Sequence, residues 1–555
     1  MVHSLMLAFA LFTDDPSTCV LTQAYLFGAD DLTIPGRVGL VKDMIVCDKP
    51  LRGNAGLGLQ VRIEAPGVGG AENGTAPSDP LGLLSVATCL LPERDAPYLL
   101  SLELARRRIM MLLNKLEDWG LTDLPAASPV MQQFEAARRA FTEALVHQRT
   151  GKDLGSGGFS RVAERLARQA LSIGVDCGEN LALHSARATF AERVTGALHR
   201  RGIDAAEAAG EQVSTAAPVR NPEGVGLVLP TEPTVGCAVN PANFNDAMTQ
   251  AIASSCDFVA VPMRWIDMEP NEGTYSFAKT DRWIEWAVRT AKMPVVAGPI
   301  VDFGRSCVPK WLSIWENDYE TLRELVYEHV RQIVTRYRRA VSRWTIASGL
   351  HVNDGFSLLA ERMLDLTRVC VLVVKKLHPQ ARVQVEIAQP WGEYFAVNKN
   401  ALFPMHYAEM LGQAGLAIDA ISLKVRMGHS VPGSSTRDMM ELSDMLDRYA
   451  KLEKPIAVSL GAPSASPTDA RVDPGDWRGP WSPERQAAWL DTATTVCLGK
   501  SFVSSVCWQE LADGPEMLEM PSGGLLAPDG TPKPAMAKLT EVRDRIRAAK
   551  AGRKS

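Results

Sequence analysis

From Pro233 onward, apolar strand-like runs alternate regularly with amphipathic helical segments. The segments 317–339 and 358–377 carry apolar residues at three- and four-residue spacing, so each has a stripe that can pack on a sheet. Eight strand-like runs fall within about 310 residues, as a (β/α)8 barrel requires. The runs are Val235–Val239, Phe258–Met263, Val295–Val301, Trp344–Leu350, Val383–Ala388, Ala420–Val425, Pro455–Leu460 and Val503–Trp508.

Three segments of different character precede this region. Residues 1–96 contain short apolar runs broken by Gly, Pro, Asp and Asn, and predict a small β-rich domain. Residues 97–201 show helical periodicity and predict a helical hairpin or short bundle. Residues 202–232 lack periodicity, which is typical of a linker. The predicted fold class is therefore α/β, a (β/α)8 TIM barrel at 233–545 preceded by these segments and followed by a basic tail at 546–555.

The bulk composition is that of a soluble globular protein, with 46% hydrophobic and 22% charged residues. The formal net charge is -5, and the basic residues form no stripe that could follow a phosphate backbone, so no nucleic-acid partner is expected. The basic residues from Lys550 to Lys554 are interpreted as a solvated chain end. No apolar run reaches the roughly 18 residues of a membrane-spanning helix, so no membrane partner is expected.

The cysteines and the N-terminal run predict a cytoplasmic location. Ten cysteines occur without a C-x-x-C pair, and most lie in apolar runs, which is typical of reduced, buried thiols. The apolar run Leu5–Phe12 is short, has no Lys or Arg ahead of it, and is followed by an acidic turn at Asp14 and Asp15. This pattern favours a first β-strand over a signal peptide.

Two segments carry a resemblance to a known family. Residues Met263–Phe277 read M-R-W-I-D-M-E-P-N-E-G-T-Y-S-F, and residues Gly524–Ala535 read G-L-L-A-P-D-G-T-P-K-P-A. They resemble the second-strand motif M-K-W-x-x-x-E-P-x-x-G-x-F-x-F and the closing L-L-x-x-x-x-x-P-K-P-A of glycoside hydrolase family 10. Weaker matches occur in the same order at Gly236–Val239, Ser306–Trp311, Ile418–Leu423 and Val506–Trp508. The resemblance implies a xylanase-like barrel and a β-1,4-glycan, xylan-like substrate.

Both glutamates that this family uses for catalysis are missing from the matching positions. Retaining glycosidases need one carboxyl as acid and base and a second as nucleophile. The family's strand-four motif W-D-x-x-N-E aligns with residues 344–349, so its acid/base position is Gly349. The strand-seven motif I-T-E aligns with residues 458–460, so its nucleophile position is Leu460. The family's retaining mechanism is therefore not expected.

Other sugar-facing positions have changed together with these two. The family's strand-six Q-S-H is replaced by Lys424, Val425 and Arg426, whereas a basic residue persists at Arg264 and an indole at Trp508. A cation and an aromatic face can hold a carbohydrate. The predicted substrate-binding residues are Arg264, Trp265, Ser348, Trp391, Lys424, Arg426 and Trp508.

A rearranged acid/base set could come from four residues near strand ends, His351, Asp354, Glu386 and Glu393. Glu386 lies in a buried-strand pattern and needs a partner, which leaves a structural ion pair and a general acid as alternatives. His351 is consistent with a loop histidine or with an acid near neutral pH. The other strand-end carboxylates, among them Glu269 and Asp302, are read as turn, cap or solvated groups.

The sequence is consistent with three functions. The protein could hydrolyse a short β-linked glycan with the rearranged set, bind carbohydrate without catalysis, or serve as a structural or assembly component. No histidine has a second ligand at metal spacing and no glycine-rich phosphate loop follows a strand, so neither metal nor cofactor is expected. The expected partner is a carbohydrate ligand, with a homo-oligomer as a possibility that light scattering can test.

Overall fold

The computed structural model describes residues 7–11, 19–50, 52–66, 80–151, 158–222, 224–304, 306–431, 433–467, 473–514 and 520–552. Its N-terminal part contains two four-stranded sheets, ordered β4-β5-β1-β8 and β3-β2-β6-β7. Their strands are β1 (Leu7–Ala10), β2 (Cys19–Phe27), β3 (Thr33–Ile34), β4 (Arg37–Val41), β5 (Met44–Asp48), β6 (Gly56–Ile63), β7 (Gly82–Ala87) and β8 (Tyr98–Leu99). The strand predicted at Leu5–Phe12 corresponds to β1, and residues 5, 6 and 12 lie outside the described residues.

Four helices follow the two sheets. They are α1 (Leu100–Asp118), α2 (Pro129–Thr150), α3 (Arg161–Val194) and α4 (Ala197–Ala208). The hydroxyls of Ser128 and Ser160 accept from the backbone N–H groups of Met131 and Ala163, and so cap the starts of α2 and α3. Gly196 has a left-handed φ of 70°, which separates α3 from α4.

The segment predicted as a linker forms the end of α4 and a hairpin of β9 (Val219–Arg220) and β10 (Leu227–Val228). The hydroxyl of Ser501 donates to the carbonyl of Leu227, and the N–H of Leu229 donates to the carbonyl of Ser501. Ser501 lies just before the last barrel strand begins. The hairpin therefore lies at the face of the barrel where the strands start, opposite the mouth.

The C-terminal part is a closed barrel of eight parallel strands, and the predicted fold class is confirmed. Barrel strands one to eight are β11 (Thr234–Ala238), β12 (Phe258–Val261), β13 (Val295–Ala297) with β14 (Val301–Asp302), β15 (Arg343–Ser348), β16 (Arg382–Ala388), β17 (Ala420–Arg426), β18 (Ile456–Gly461) and β19 (Val503–Trp508). The helices are α5 (Asp246–Ser255), α6 (Trp265–Met268), α7 (Ala278–Glu285), α8 (Tyr319–Tyr337), α9 (Ala360–Leu377), α10 (Pro404–Gln413), α11 (Met439–Ala450), α12 (Pro483–Gly499) and α13 (Pro534–Gly552).

Barrel strand three is split at Gly298, and both pieces pair with β15. Gly298 has a φ of +111°, and a Cβ at this position would lie 2.1 Å from the carbonyl oxygen of Thr345. Only glycine fits this close approach. The predicted run Val295–Val301 is thus interrupted in its middle.

Alternation along each strand divides apolar from polar side chains. On β17, Ile421, Leu423 and Val425 are buried in the layer between strands and helices. The intervening Lys424 and Arg426 border the space inside the barrel. The period of two therefore decides which side chains can reach a ligand at the barrel axis.

Helix α3 runs along the outside of the barrel and is held by buried charged groups. Glu179 accepts from the N–H of Met439 at 3.2 Å and from the indole of Trp477 at 2.7 Å. Burial raises the pKa of Glu179, and the Arg478 guanidinium opposes that rise. Near the other end of α3, Arg193 donates to the carbonyls of Leu498, Lys500 and Val503.

The second N-terminal sheet contacts the loops that follow barrel strands five, six and seven. Thr33 donates to the carbonyl of Gly392 at 2.9 Å, the N–H of Ser85 donates to the carbonyl of Thr436 at 2.7 Å, and Arg62 pairs with Asp476 at 3.0 Å. These loops lie at the carboxyl ends of the strands. One side of the barrel mouth is therefore flanked by the N-terminal part. None of the described helices is long and apolar enough to cross a membrane.

Candidate functional site

A cavity of about 180 Å³ opens at the carboxyl ends of the barrel strands and continues into the barrel. Ligand sites of such barrels lie at this face, because the loops that follow the strands converge there. The polar side chains at its upper level come from strands three, five and six and from the segments after strands two and eight. They are Arg264, Asp302, Glu386, Lys424, Arg426, Gln509 and Glu510.

Glu386 is the predicted acid/base candidate that lies in this cavity. It is 8% exposed, and its Oε1 accepts a hydrogen bond of 2.8 Å from the hydroxyl of Ser348 on the neighbouring strand. The two residues are directly paired in register. The buried carboxylate therefore has a hydrogen-bond donor, as a buried charge requires.

Asp302 lies beside these two residues. It pairs in register with Ser348 from the opposite side, is 8% exposed, and accepts from the N–H of Gly304 at 2.8 Å. Asp302 and Glu386 thus flank Ser348 on the two neighbouring strands. Because adjacent strands are about 4.8 Å apart, the backbones that carry the two carboxylates are separated by roughly 10 Å.

Three predicted cations line the same cavity. Arg426 donates to Oε1 of Gln509 at 2.6 Å, and the Gln509 amide in turn donates to the carbonyls of Val425 and Ser459. Arg264 pairs with Asp267 at 2.6 Å. Lys424 lines the cavity two residues before Arg426 on strand six. The structure therefore brings together Arg264, Lys424, Arg426, Ser348 and Glu386 of the predicted set.

Side chains at the two positions aligned with the missing glutamates would extend in different directions. Gly349 has a left-handed φ of 64°, and a Cβ there would lie 3.8 Å from Oδ1 of Asp302, at the mouth. Leu460 is fully buried and pairs in register with Trp508 on the helix side of the strands. Position 461 faces the mouth instead, since a Cβ on Gly461 would meet Gln509 and Arg426.

The predicted residues Trp391 and Glu393 lie away from the cavity, in the contact between loop five and the N-terminal part. Glu393 forms a buried ion pair with Arg437, whose guanidinium lies 4.2 Å from the centre of the Trp391 ring. Arg437 also borders a small space shared with Tyr25 and Phe27 of β2. The sequence pattern could not reveal this contact, because its partners are far apart in the chain.

His351 lies beneath the mouth loops and is fully buried. Its Nε2 donates to the carbonyl of Ala388 at 2.9 Å, and its ring stacks on Tyr407. Burial lowers the pKa of His351 to about 4, so the ring is neutral near pH 7. Asp354 is exposed on the following turn. Neither side chain lines the described part of the cavity.

The predicted indoles Trp265 and Trp508 are packed inside the fold. Trp508 is 1% exposed, contacts the Trp489 ring of α12, and donates to the carbonyl of Gly523. Trp265 stacks on His329 with ring centres 4.0 Å apart and donates to Glu269 at 2.8 Å. Among the described residues, the structure places neither indole at the cavity wall.

Sequence reasoning missed several cavity residues on the strands. Gln384 lies two positions before Glu386, Ser422 two before Lys424, and Ser505 two before Cys507. Counting two positions back from the predicted Glu386 and Lys424 would have identified Gln384 and Ser422. Ser505 could not be found in this way, because the predicted Trp508 lies on the other face of strand eight. Across the described chain, no three His, Cys, Asp or Glu side chains are grouped so that they could hold a metal ion.

The fold and this cavity define a (β/α)8-barrel protein with a polar site at the strand ends. Residues 228–362, from β10 into α9, match the family model for glycosyl hydrolase family 10. The resemblance of the barrel to that family is confirmed, and the barrel is family-10-like.

Characterised relatives carry xylanase names. The chain is 28% identical over 100 residues to endo-1,4-beta-xylanase B of Humicola insolens, an alignment that covers 18% of this chain and 26% of the relative. It is 24% identical over 268 residues to endo-1,4-beta-xylanase 1 of Gibberella zeae, which covers 46% of this chain and 68% of the relative. The chain thus spans about a quarter of the first relative and about two thirds of the second.

Solved structures of xylanases are similar to part of this chain. Native xylanase 10B from Thermotoga maritima is 15% identical with a TM-score of 0.44, and the alignment covers 57% of this chain and 97% of that one. Xylanase 10B from Thermotoga petrophila in complex with xylobiose is 16% identical with a TM-score of 0.44, with 57% and 94% covered.

Proposed function

We propose that the protein binds a carbohydrate in the mouth cavity of its family-10-like barrel, without the family's retaining hydrolysis. The observation that carries this proposal is the ring of hydrogen-bonding side chains at the strand ends, with Glu386, Lys424, Arg426 and Gln509 on one cavity wall. Carbohydrate hydroxyls both donate and accept hydrogen bonds, so mixed carboxylate, amide and cationic groups suit them. The xylanase names of the relatives favour a β-1,4-linked glycan.

The proposal of binding without retaining hydrolysis rests on positions 349 and 460. Retaining enzymes hold two carboxyls about 5 Å apart across the scissile bond. Gly349 supplies no carboxyl and has a backbone conformation that a glutamate would adopt only with strain. Leu460 faces the helix layer, so even a carboxyl there would not reach a sugar in the cavity.

A second candidate is hydrolysis by a relocated pair, Asp302 and Glu386. The specific observation is that both carboxylates line the same cavity, on strands three and five, and flank Ser348 of strand four. Inverting glycosidases place their carboxyls roughly 6.5–9.5 Å apart, with a water between them. Such a pair would act by general acid and general base without a covalent intermediate.

Calorimetric titration of the full chain with xylobiose through xylohexaose tests the binding proposal. Binding is expected, and Lys424→Met should weaken it by about tenfold, because a hydrogen bond from a charged donor is lost. Lys376→Met, an exposed change on α9, is the matched control and should bind like the wild type. Absence of binding to every oligosaccharide would overturn the proposal and favour a structural or assembly role.

Turnover of aryl β-xylosides separates the two candidates. Binding alone predicts no release of the aryl group above the uncatalysed rate. Hydrolysis that Glu386→Gln abolishes, with inversion at the anomeric carbon, would establish the relocated pair instead. The unfolding midpoint of Glu386→Gln must match that of the wild type for this result to count.

A further inference from the structure

Below the mouth, the cavity continues between the strands because the side chains that face the axis are small. The inward positions at mid-level carry hydroxyls or almost no side chain, whereas barrels of this type are usually filled by bulky branched residues. These positions are Ala238, Ala260, Gly298, Thr345, Ser422, Ala457 and Ser459. The resulting space has polar walls and forms the lower part of the cavity of about 180 Å³, a total volume that exceeds the space of several waters.

Arg343 forms the floor of this space. It lies at the start of barrel strand four, and its Nη1 donates to the hydroxyl of Ser505 on strand eight at 3.1 Å. Strands four and eight are on opposite walls of an eight-stranded barrel. The guanidinium therefore extends across the barrel axis, directly beneath the cavity that both residues line.

The charge of Arg343 has no carboxylate partner among the residues that the structure describes. Burial lowers its pKa, and the neighbouring Arg382 lowers it further. A guanidinium nevertheless stays protonated in proteins. A cation that is partly removed from water and faces a polar cavity favours an anionic group in that cavity.

The amide oxygen of Gln384, also in the cavity, lacks a hydrogen-bond donor among the described residues. The Gln384 side chain is 5% exposed and its Nε2 donates to the hydroxyl of Thr345 at 2.8 Å. Its Oε1 is buried and accepts no hydrogen bond within the described chain. A buried amide oxygen without a donor is unfavourable, so a ligand hydroxyl that donates to it would be stabilised.

We propose that the cavity beneath the mouth binds a monosaccharide-sized polyol that carries one anionic group, with the anion on Arg343 and a hydroxyl donating to Gln384. The inference rests on the proposed carbohydrate binding at the mouth and specifies the class of sugar. A carboxylate and a phosphate share the chemistry that a guanidinium recognises. The neutral sugar units of a longer glycan remain at the level of Glu386 and Lys424.

Titration calorimetry of the full chain with D-xylonate, D-glucuronate and D-xylose 5-phosphate, against D-xylose and xylitol, tests this inference. At least one acidic probe is expected to bind about ten- to a hundredfold more tightly than both neutral probes, because a charge-assisted hydrogen bond to the partly buried Arg343 guanidinium is gained. The carboxylate and phosphate arms identify the anion.

Arg343→Met should remove the preference and bring the acidic probes to the affinity of D-xylose. Lys376→Met, the exposed change on α9, is the matched control, since it removes one positive charge from a residue that does not line the cavity. Ser422→Leu fills the middle of the cavity without touching the floor and should abolish binding of the acidic probes. The Ser422→Leu variant allows the inference to be tested even if Arg343→Met does not fold.

The outcomes separate this inference from the proposed function. Equal affinities for acidic and neutral probes would overturn the inference. A preference for the acidic probes that survives Arg343→Met would also overturn it. If Arg343→Met does not fold, the same holds for a preference that survives Ser422→Leu. If xylo-oligosaccharides still bind in that case, the mouth proposal stands alone. If neither monosaccharides nor oligosaccharides bind, both are overturned.

Discussion

Arg108 of α1 donates two hydrogen bonds to Asp438, the N-cap residue of barrel helix α11, at 2.7 and 3.2 Å. The two side chains are 3% and 0% exposed. Asp438 also accepts from the N–H groups of Met440 and Glu441, which begin that helix. One carboxylate therefore both starts a barrel helix and fixes the N-terminal helices against the barrel.

Removing the Arg108 guanidinium should strongly destabilise the whole chain. Arg108→Ala leaves the Asp438 carboxylate buried without its cation, so we expect the free energy of unfolding to fall by about 3–5 kcal/mol. Urea unfolding followed by tryptophan fluorescence measures this. Arg138→Ala removes an exposed guanidinium from α2 and should leave the urea midpoint unchanged. Equal midpoints for both variants would contradict the anchoring role.

The buried neutral ring of His351 should make the fold sensitive to acid. Its pKa is lowered to about 4 in the folded state, whereas an unfolded chain has a value near 6.5, so the unfolded state binds more protons between these values. The stabilisation is complete above pH 6.5 and is lost as the pH falls toward 4, by an amount on the order of 3 kcal/mol.

His351→Gln is the variant that isolates this effect. Its amide can still donate to the carbonyl of Ala388 but cannot take up a proton. Urea midpoints measured from pH 7.5 to pH 4.5 should fall less steeply in the variant than in the wild type. Parallel pH profiles would show that His351 does not contribute to acid sensitivity.

The break in barrel strand three should depend on glycine. Gly298→Ala would place a Cβ 2.1 Å from the carbonyl oxygen of Thr345 at a φ of +111°, so strand three must shift and the unfolding temperature should fall sharply. Gly412 is the control, because it lies in α10 and a Cβ there has nothing within 4 Å. Gly412→Ala should be neutral or raise stability by up to about 1 kcal/mol.

The barrel could be predicted from the sequence because its strands are encoded locally. The predicted run Val503–Trp508 coincides with β19. The predicted run Val383–Ala388 begins one residue after the start of β16 and ends at the same residue. A parallel strand that is buried on both faces reads as a nearly continuous apolar run. Each helix that packs on such a sheet needs an apolar stripe. Those requirements are visible within ten to twenty residues of chain.

The site was predictable only in part, because side-chain direction and long-range contacts decide it. Glu386, Lys424 and Arg426 reach the cavity because their side chains lie on the inner face of their strands. The side chains of Trp508 and Leu460 lie on the outer face of their strands, toward the helices, which the motif alignment does not reveal. Glu393 pairs with Arg437, where loop five meets the N-terminal part, a contact that no local pattern encodes.

The alternation of side chains between the two faces of strand seven also predicts where a carboxylate can be introduced. Leu460→Glu would bury a carboxylate in the apolar layer beside Trp508, and a charge there without a partner should cost several kcal/mol or remain protonated. Gly461→Glu would instead place a Cβ 3.1 Å from Oε1 of Gln509 and 3.7 Å from Cγ of Arg426, and the Arg426 guanidinium offers an opposite charge.

Thermal unfolding of the two variants at pH 7 should therefore separate them clearly. Leu460→Glu is expected to lower the midpoint by many degrees, whereas Gly461→Glu should change it by only a few, since a kilocalorie corresponds to a small shift in a chain of this size. Leu460→Gln controls for the loss of the apolar side chain alone. A Leu460→Glu variant as stable as Gly461→Glu would mean that position 460 faces the mouth, where a family nucleophile could act.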